Sequence, residues 1–112
     1  MSDEVKELEL EEAIEMVKGS GSRFVWVLGN SDKKLLAETL KVDGEYIHMF
    51  HPEELLLSEN PESMLPSASP IFVCRHGRTS KIVADSLKKR GINGYSLKGG
   101  VTRYNPDLED KI

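Results

Sequence analysis

Two short stretches built wholly from apolar, β-favouring residues, Phe24 to Leu28 (FVWVL) and Ile71 to Val73 (IFV), constrain this chain more than any other feature. A run without polar alternation suits a strand covered on both faces, as in a parallel sheet held between two layers of helices. The segments around them must then supply those helices. Leu10, Ala13, Ile14 and Val17 fall at i, i+3, i+4 and i+7, which predicts an amphipathic helix with an acidic first turn. It stops at Gly19, and Ser20, Gly21 and Ser22 turn the chain into the first apolar run, where Trp26 belongs in the core.

Beyond Gly29 and Asn30, Ser31 is placed to cap a short helix over Leu35, Leu36, Ala37 and Leu40, with Lys33 and Lys34 outward. Asp43 and Gly44 break it, and Tyr46 to Phe50 (YIHMF) reads as another strand. Pro52, followed by Glu53 and Glu54, opens a brief helix over Leu55 to Leu57. Residues 58 to 70 carry three prolines and four serines with no period, so they form a surface connection within one domain. The helix after Ile71–Val73 is expected to bury Ile82, Val83 and Leu87 and to end at Gly91, with Lys88, Lys89 and Arg90 in its last turn. A last strand over Tyr95 to Leu97 leads into Lys98, Gly99 and Gly100, and one helical turn is expected in the polar tail from Thr102 to Ile112. The alternation implies a three-layer α/β domain, its central, mostly parallel sheet of about five strands flanked by helices.

A chain of 112 residues fits a single domain, 1–112, with a core of its own. One cysteine makes no internal disulfide and cannot supply a structural zinc or iron–sulfur site. The acidic start MSDEVKELELEE has no apolar leader core, and no long apolar run suits a membrane, so a cytoplasmic location without membrane partners is expected. Fifteen Lys and Arg against nineteen Asp and Glu argue against nucleic acid as the main partner. The distribution is uneven. Residues 1 to 16 hold seven acids (Asp3, Glu4, Glu7, Glu9, Glu11, Glu12, Glu15) against Lys6, read as a solvated helix face and tail. Residues 71 to 90 hold six bases against Asp85, and that basic segment contains the cysteine.

Cys74 follows a buried strand and precedes a helix, and in parallel sheets ligands bind beyond the carboxyl ends of the strands. Alone at a strand end, a cysteine is an ordinary inert core residue. Arg75, His76 and Arg78 argue otherwise, since cations are poor company for a buried thiol and good company for an anion. Helix-start amides and these cations lower a thiol's pKa below its ordinary value of about 8.5, which yields a nucleophilic thiolate. Gly77 lets the backbone adopt a positive φ so that successive amides converge on one atom.

The stretch CRHGRTS, an amphipathic helix and then GINGYSLKGGVTRY resembles the active-site half of the rhodanese family of sulfurtransferases in its small single-domain form. The similarity spans about residues 70 to 105, and the six-residue loop Cys74 to Thr79 is its specific part. Leu97-Lys98-Gly99-Gly100 resembles the family's run after its last strand, with Tyr104 near a position where Trp is common. The first half agrees only in its order of elements. It lacks the family's Asp-x-Arg, having Val27-Leu28-Gly29-Asn30 instead, and it lacks the Gly-His-Ile-Pro-Gly-Ala run.

The resemblance implies a thiosulfate sulfurtransferase, working without a metal or organic cofactor, in which Cys74 carries a persulfide between a thiosulfate-like or persulfide donor and a thiol or cyanide acceptor, the acceptor in the cell including proteins. Arg75 and Arg78 then hold the donor's sulfonate, and the amides of residues 75 to 80, with the hydroxyls of Thr79 or Ser80, stabilise the persulfide; His76 and Gly77 complete the loop. Two alternatives stand beside it. A non-catalytic docking or regulatory module of the same fold would use the acidic first helix. A cysteine phosphatase or arsenate reductase wants an arginine six positions after the cysteine, where this chain has Ser80.

Other residues read more plainly. His48 and His51 are three apart and face opposite sides of a strand, which does not make a metal site. His51 serves a turn before Pro52 rather than bordering the site. Lys81 lies on the helix surface, Gly99 and Gly100 serve a tight turn, and Asn30 and Ser31 form an ordinary turn and cap.

Overall fold

A computed structural model describes residues 5–111. Asp3, Glu4 and Ile112, which belong to the acidic start and the polar tail, lie outside the described residues. Among the described residues five strands, β1 (Glu7–Leu8), β2 (Phe24–Trp26), β3 (Ile47–Met49), β4 (Ile71–Val73) and β5 (Tyr95–Leu97), form one sheet in the order β1-β5-β4-β2-β3. Every pairing is parallel. Helices α1 (Leu10–Ser20), α2 (Lys33–Leu40), α3 (Pro52–Leu56) and α4 (Arg78–Lys88) alternate with the strands.

The apolar strands divide their side chains between two cores. Phe24, Trp26, Ile71, Val73 and Leu97 point to one face, where they meet Ala13 and Val17 of α1 and Leu36 and Leu40 of α2. Val25, Val27, Phe72 and Cys74 point to the other, against Leu55 of α3 and Val83, Ala84 and Leu87 of α4. The two-residue period of the strands thus feeds two helical layers, which is why the runs carry no polar alternation. Trp26, at 1% exposure, is core as its place in FVWVL predicts.

Several boundaries and faces depart from the sequence expectations. The acidic start is not all helix face: Glu7–Leu8 pairs with Ser96–Leu97 as an edge strand, because Leu8 finds a buried place beside β5. α1 runs past Gly19 to Ser20, and Gly21, at φ +74°, supplies the left-handed stop. Asp32, not Ser31, caps α2, its carboxylate accepting the Leu35 N–H at 3.1 Å. In α4 the buried stripe is Ser80, Val83, Ala84 and Leu87, while Ile82 is 55% exposed. Tyr46 belongs to a 3-10 turn before β3, and the tail forms two such turns, Val101–Arg103 and Pro106–Asp110.

The topology fixes where a site belongs. The connection from β2 carries α2 to one face of the sheet and that from β4 carries α4 to the other, although β2 and β4 are neighbours. Their carboxyl ends therefore open a crevice between diverging chains.

Candidate functional site

The crevice at the ends of β2 and β4 is a cleft of about 220 Å³ lined by Leu28, Cys74, Arg75, His76, Arg78 and Thr79. Leu28 comes from β2's end, and the other five belong to the loop and first turn after β4. A larger groove of about 850 Å³ lies between α1, α2 and the start of β3, away from the cysteine, and its lining mixes Lys18, Arg23, Lys34 and Lys41 with Glu38 and Asp43.

Cys74 is 2% exposed, and its Sγ packs among apolar residues on the α4 side of the sheet. It is nevertheless not left in hydrocarbon alone. The Gly77 N–H donates to Sγ at 3.1 Å and the Ser80 N–H donates at 3.3 Å. The Ser80 Oγ lies 3.3 Å from Sγ and 2.8 Å from the Ser96 Oγ, and both serines are fully buried. Two backbone amides donate to the sulfur, an arrangement that stabilises negative charge on it, while the neutral thiol can donate to the Ser80 hydroxyl.

The loop reaches this shape because glycines stand where left-handed backbone is needed. Gly77, at φ +84°, is the residue before α4 and turns its own amide onto the sulfur. The carbonyl of Cys74 accepts from the Val101 N–H at 3.0 Å, and that of Arg75 accepts from the N–H and Oγ1 of Thr102 at 3.0 and 2.9 Å. In a trans peptide the N–H points opposite its carbonyl, so the Arg75 and His76 amides are turned away from the 101–102 segment. Neither has a hydrogen-bond acceptor among the described residues.

Gly99 and Gly100 do more than turn the chain. Gly100 N–H donates to the Leu97 carbonyl, as a tight turn requires. A Cβ on Gly100 would also stand 2.2 Å from the Arg75 oxygen, and one on Gly77 would stand 2.9 Å from the Gly99 nitrogen, so the glycine pair is the floor on which the cysteine loop rests. Close approach, not the turn alone, makes glycine necessary.

The cations differ in use. Arg75 is half-buried and lines the cleft, and its Nε is buried with no hydrogen-bond partner among the described residues. Arg78 is exposed on the first turn of α4. His76 is exposed and its Nε2 meets Glu109 of the Pro106–Asp110 turn at 2.5 Å, so the tail reaches back to the loop. Lys81 is paired with Glu7 of β1 at 3.8 Å. His51 begins α3 with its ring against Gly29 and is absent from the cleft lining, and Asn30 and Ser31 do not line it either. His48 sits on β3 beside Val25, and burial, with Lys33 and then Arg23 nearby, holds its pKa below 6.5. Among the described residues no three His, Cys, Asp or Glu side chains gather as a metal cage.

Four contributors escaped the sequence reading: Leu28 as a wall, Ser96 behind Ser80, Thr102 as the clamp on the Arg75 carbonyl, and Glu109. Ser96 alone left a signal, a hydroxyl between Tyr95 and Leu97 in a strand that the fold covers on both faces.

No family model matches the sequence, and no curated protein matches it. Solved structures do. A rhodanese homolog from Thermus thermophilus superposes with a TM-score of 0.62 at 22% identity, covering 86% of this chain and 96% of its own. A rhodanese-related protein from Thermoplasma volcanium gives 0.63 at 15% identity, over 91% of this chain and 92% of its own. A protein from Rhodopseudomonas palustris, described as a possible tyrosine phosphatase, gives 0.62 at 16% identity over 92% and 81%. The parallel five-stranded sheet, its crossovers and these superpositions agree on one architecture: the chain has the rhodanese-like fold.

Proposed function

We propose that this chain is a sulfurtransferase that moves a sulfane sulfur through a persulfide on Cys74. The observation that carries the reading is the reception of Sγ by the Gly77 and Ser80 amides at the base of a small, cation-lined cleft. Thiolate attacks the outer sulfur of a thiosulfate-like donor, a new S–S bond forms, and the old one breaks with its electron pair leaving on sulfite. The persulfide's terminal sulfur then passes to cyanide or a thiol, and Cys74 thiolate returns. An attacking thiolate and a dianion bring three negative charges together, so the Arg75 and Arg78 guanidiniums and the unused Arg75 and His76 amides supply what the step most needs. Leu28 keeps one wall apolar, which limits competing water.

A phosphatase reading, prompted by the Rhodopseudomonas palustris neighbour, fits the loop less well. Ser80 occupies the place where a guanidinium would grip phosphoryl oxygens, and its side chain is turned inward onto sulfur. A docking module would have no use for a thiol so fully provided with donors.

Incubation with thiosulfate followed by intact-mass measurement tests the proposal. One added sulfur atom on the wild type, absent from Cys74→Ser together with thiocyanate formation from cyanide, is the expected result. An unmodified wild type overturns it, and Cys74-dependent hydrolysis of para-nitrophenyl phosphate would install the phosphatase reading instead.

A further inference from the structure

We propose that Ser96 is a positioning residue for Cys74, acting through Ser80 by fixing the direction in which the Ser80 hydroxyl donates. The inference rests on Cys74 working as a thiolate and adds to that reading a residue outside the cysteine loop.

Three polar atoms form a chain that leads inward from the cleft. Cys74 Sγ is 3.3 Å from Ser80 Oγ, which is 2.8 Å from Ser96 Oγ, and the residues are 2%, 0% and 0% exposed. Ser96 comes from β5 and Ser80 from the buried stripe of α4, so the sheet and the helix each contribute one member. Ser96 Oγ has no hydrogen-bond partner other than Ser80 among the described residues.

That isolation makes the two directions of the row unequal. When a neutral thiol's S–H donates to Ser80, Ser80 donates to Ser96 and the Ser96 hydrogen is left without an acceptor; with the S–H turned to the cleft the opposite direction is open, but it ends on an uncharged and weaker acceptor. With sulfur as an anion, Ser96 donates to Ser80 and Ser80 donates to Sγ, and both hydroxyl hydrogens are used. Buried donors without acceptors are costly, and hydrogen bonds in series strengthen one another when they end on a charge. Ser96 therefore favours the anionic row, and it holds the Ser80 hydrogen on the sulfur throughout a catalytic cycle that alternates two anions.

The charged groups around the sulfur come from one side. Arg75, His76 and Arg78 line the cleft, and Glu109 of the tail faces His76; β2 contributes apolar Leu28, and β5 contributes Ser96 itself. The Ser96 side chain shares no hydrogen bond with any of these charged groups among the described residues.

The test uses iodoacetamide on the full chain, where the one cysteine makes the reaction report on Cys74 alone. At neutral pH, Ser96→Ala should alkylate roughly three- to tenfold more slowly than the wild type, and Ser80→Ala at least as slowly. The double variant should lose no more than Ser80→Ala alone, because the second hydroxyl acts only through the first. At a pH where the thiol is ionised in every variant, the rates should converge. Losses that persist unchanged at high pH would mean altered access, additive losses would mean no shared path, and an unaltered Ser96→Ala rate would mean no role; each overturns the proposal. Ser96→Cys is unsuitable because it adds a second thiol, so Ser96→Gly, which removes the hydroxyl without adding bulk, serves as the second variant and should behave as Ser96→Ala does. No sulfur donor enters the measurement, so a failure of the sulfurtransferase reading and a failure of this one are separate results.

Discussion

Gly100 lies directly beneath Arg75: a Cβ built on the glycine would come within 2.2 Å of the Arg75 carbonyl oxygen and 2.6 Å of the Cys74 oxygen. Both obstacles are backbone, so neither can swing aside, and the glycine's φ of +68° disfavours any side chain in its own right. Gly100→Ala should therefore cost about 2 kcal/mol or more, read from urea denaturation, and should slow sulfur loading of Cys74 in whatever fraction folds. An unchanged denaturation midpoint would show that the turn and the loop separate freely.

Tyr104 joins the tail to the beginning of α1. Its hydroxyl accepts from the Leu10 N–H at 3.1 Å and donates to the Glu9 carboxylate at 3.2 Å. The Leu10 N–H is one of the first-turn donors that a helix cannot satisfy itself. Tyr104→Phe keeps the ring and strands that donor, so a loss of about 1 kcal/mol is expected in chemical denaturation. A neutral substitution would mean that water replaces the phenol without cost.

His48 predicts a pH dependence. Burial first, then the charges of Lys33 and Arg23, make protonation harder in the folded protein than in the unfolded chain, whose histidine titrates near 6.5. Above the unfolded value neither state carries the proton and the stability associated with this residue is whole. As the pH falls below about 6.5 the unfolded chain binds protons first, so stability declines until the folded histidine is protonated as well. The urea midpoint of His48→Gln should be flatter than that of the wild type between about pH 7.5 and pH 5. Parallel curves would assign the acid sensitivity to other groups.

The pairing of Glu109 with His76 is exposed on both sides, at 52% and 57%. Glu109→Gln should consequently cost less than about 1 kcal/mol. Its larger effect should be local, with faster amide exchange over residues 106–110 once the tail loses its hold on the loop. Equal exchange in both proteins would show that Leu108, fully buried, anchors the segment by itself.

The sheet was legible because its central strands announce themselves. Phe24 to Trp26 and Ile71 to Val73 have no polar residue to place on a wet face, and a parallel interior covered by helices accommodates them. β1 was hidden because two residues among glutamates carry no period at all, and only the pairing with Ser96 and Leu97 makes them a strand. The cysteine loop was legible in its residue types, with Gly77 and Ser80 placed on the sulfur by local geometry. Its supports were not. Thr102, Glu109 and Leu28 reach the loop through tertiary contacts, and nothing in the spacing of Thr102 or Glu109 distinguishes them from ordinary surface residues. Ile82 shows the opposite error, an apolar residue assigned inward by type although the helix turns Ser80 to the core instead.

The sheet's margins have a further consequence. Its outermost members, Glu7–Leu8 and Ile47–Met49, are two and three residues long, and Lys6, Glu9 and Glu45 bracket them with charge. So brief a ladder of unpaired amides gives a foreign strand little to register against, and ionised flanks discourage it from stacking. Borders of this kind are poor templates for edge-to-edge pairing, and Cys74 follows the inner strand β4, away from either seam.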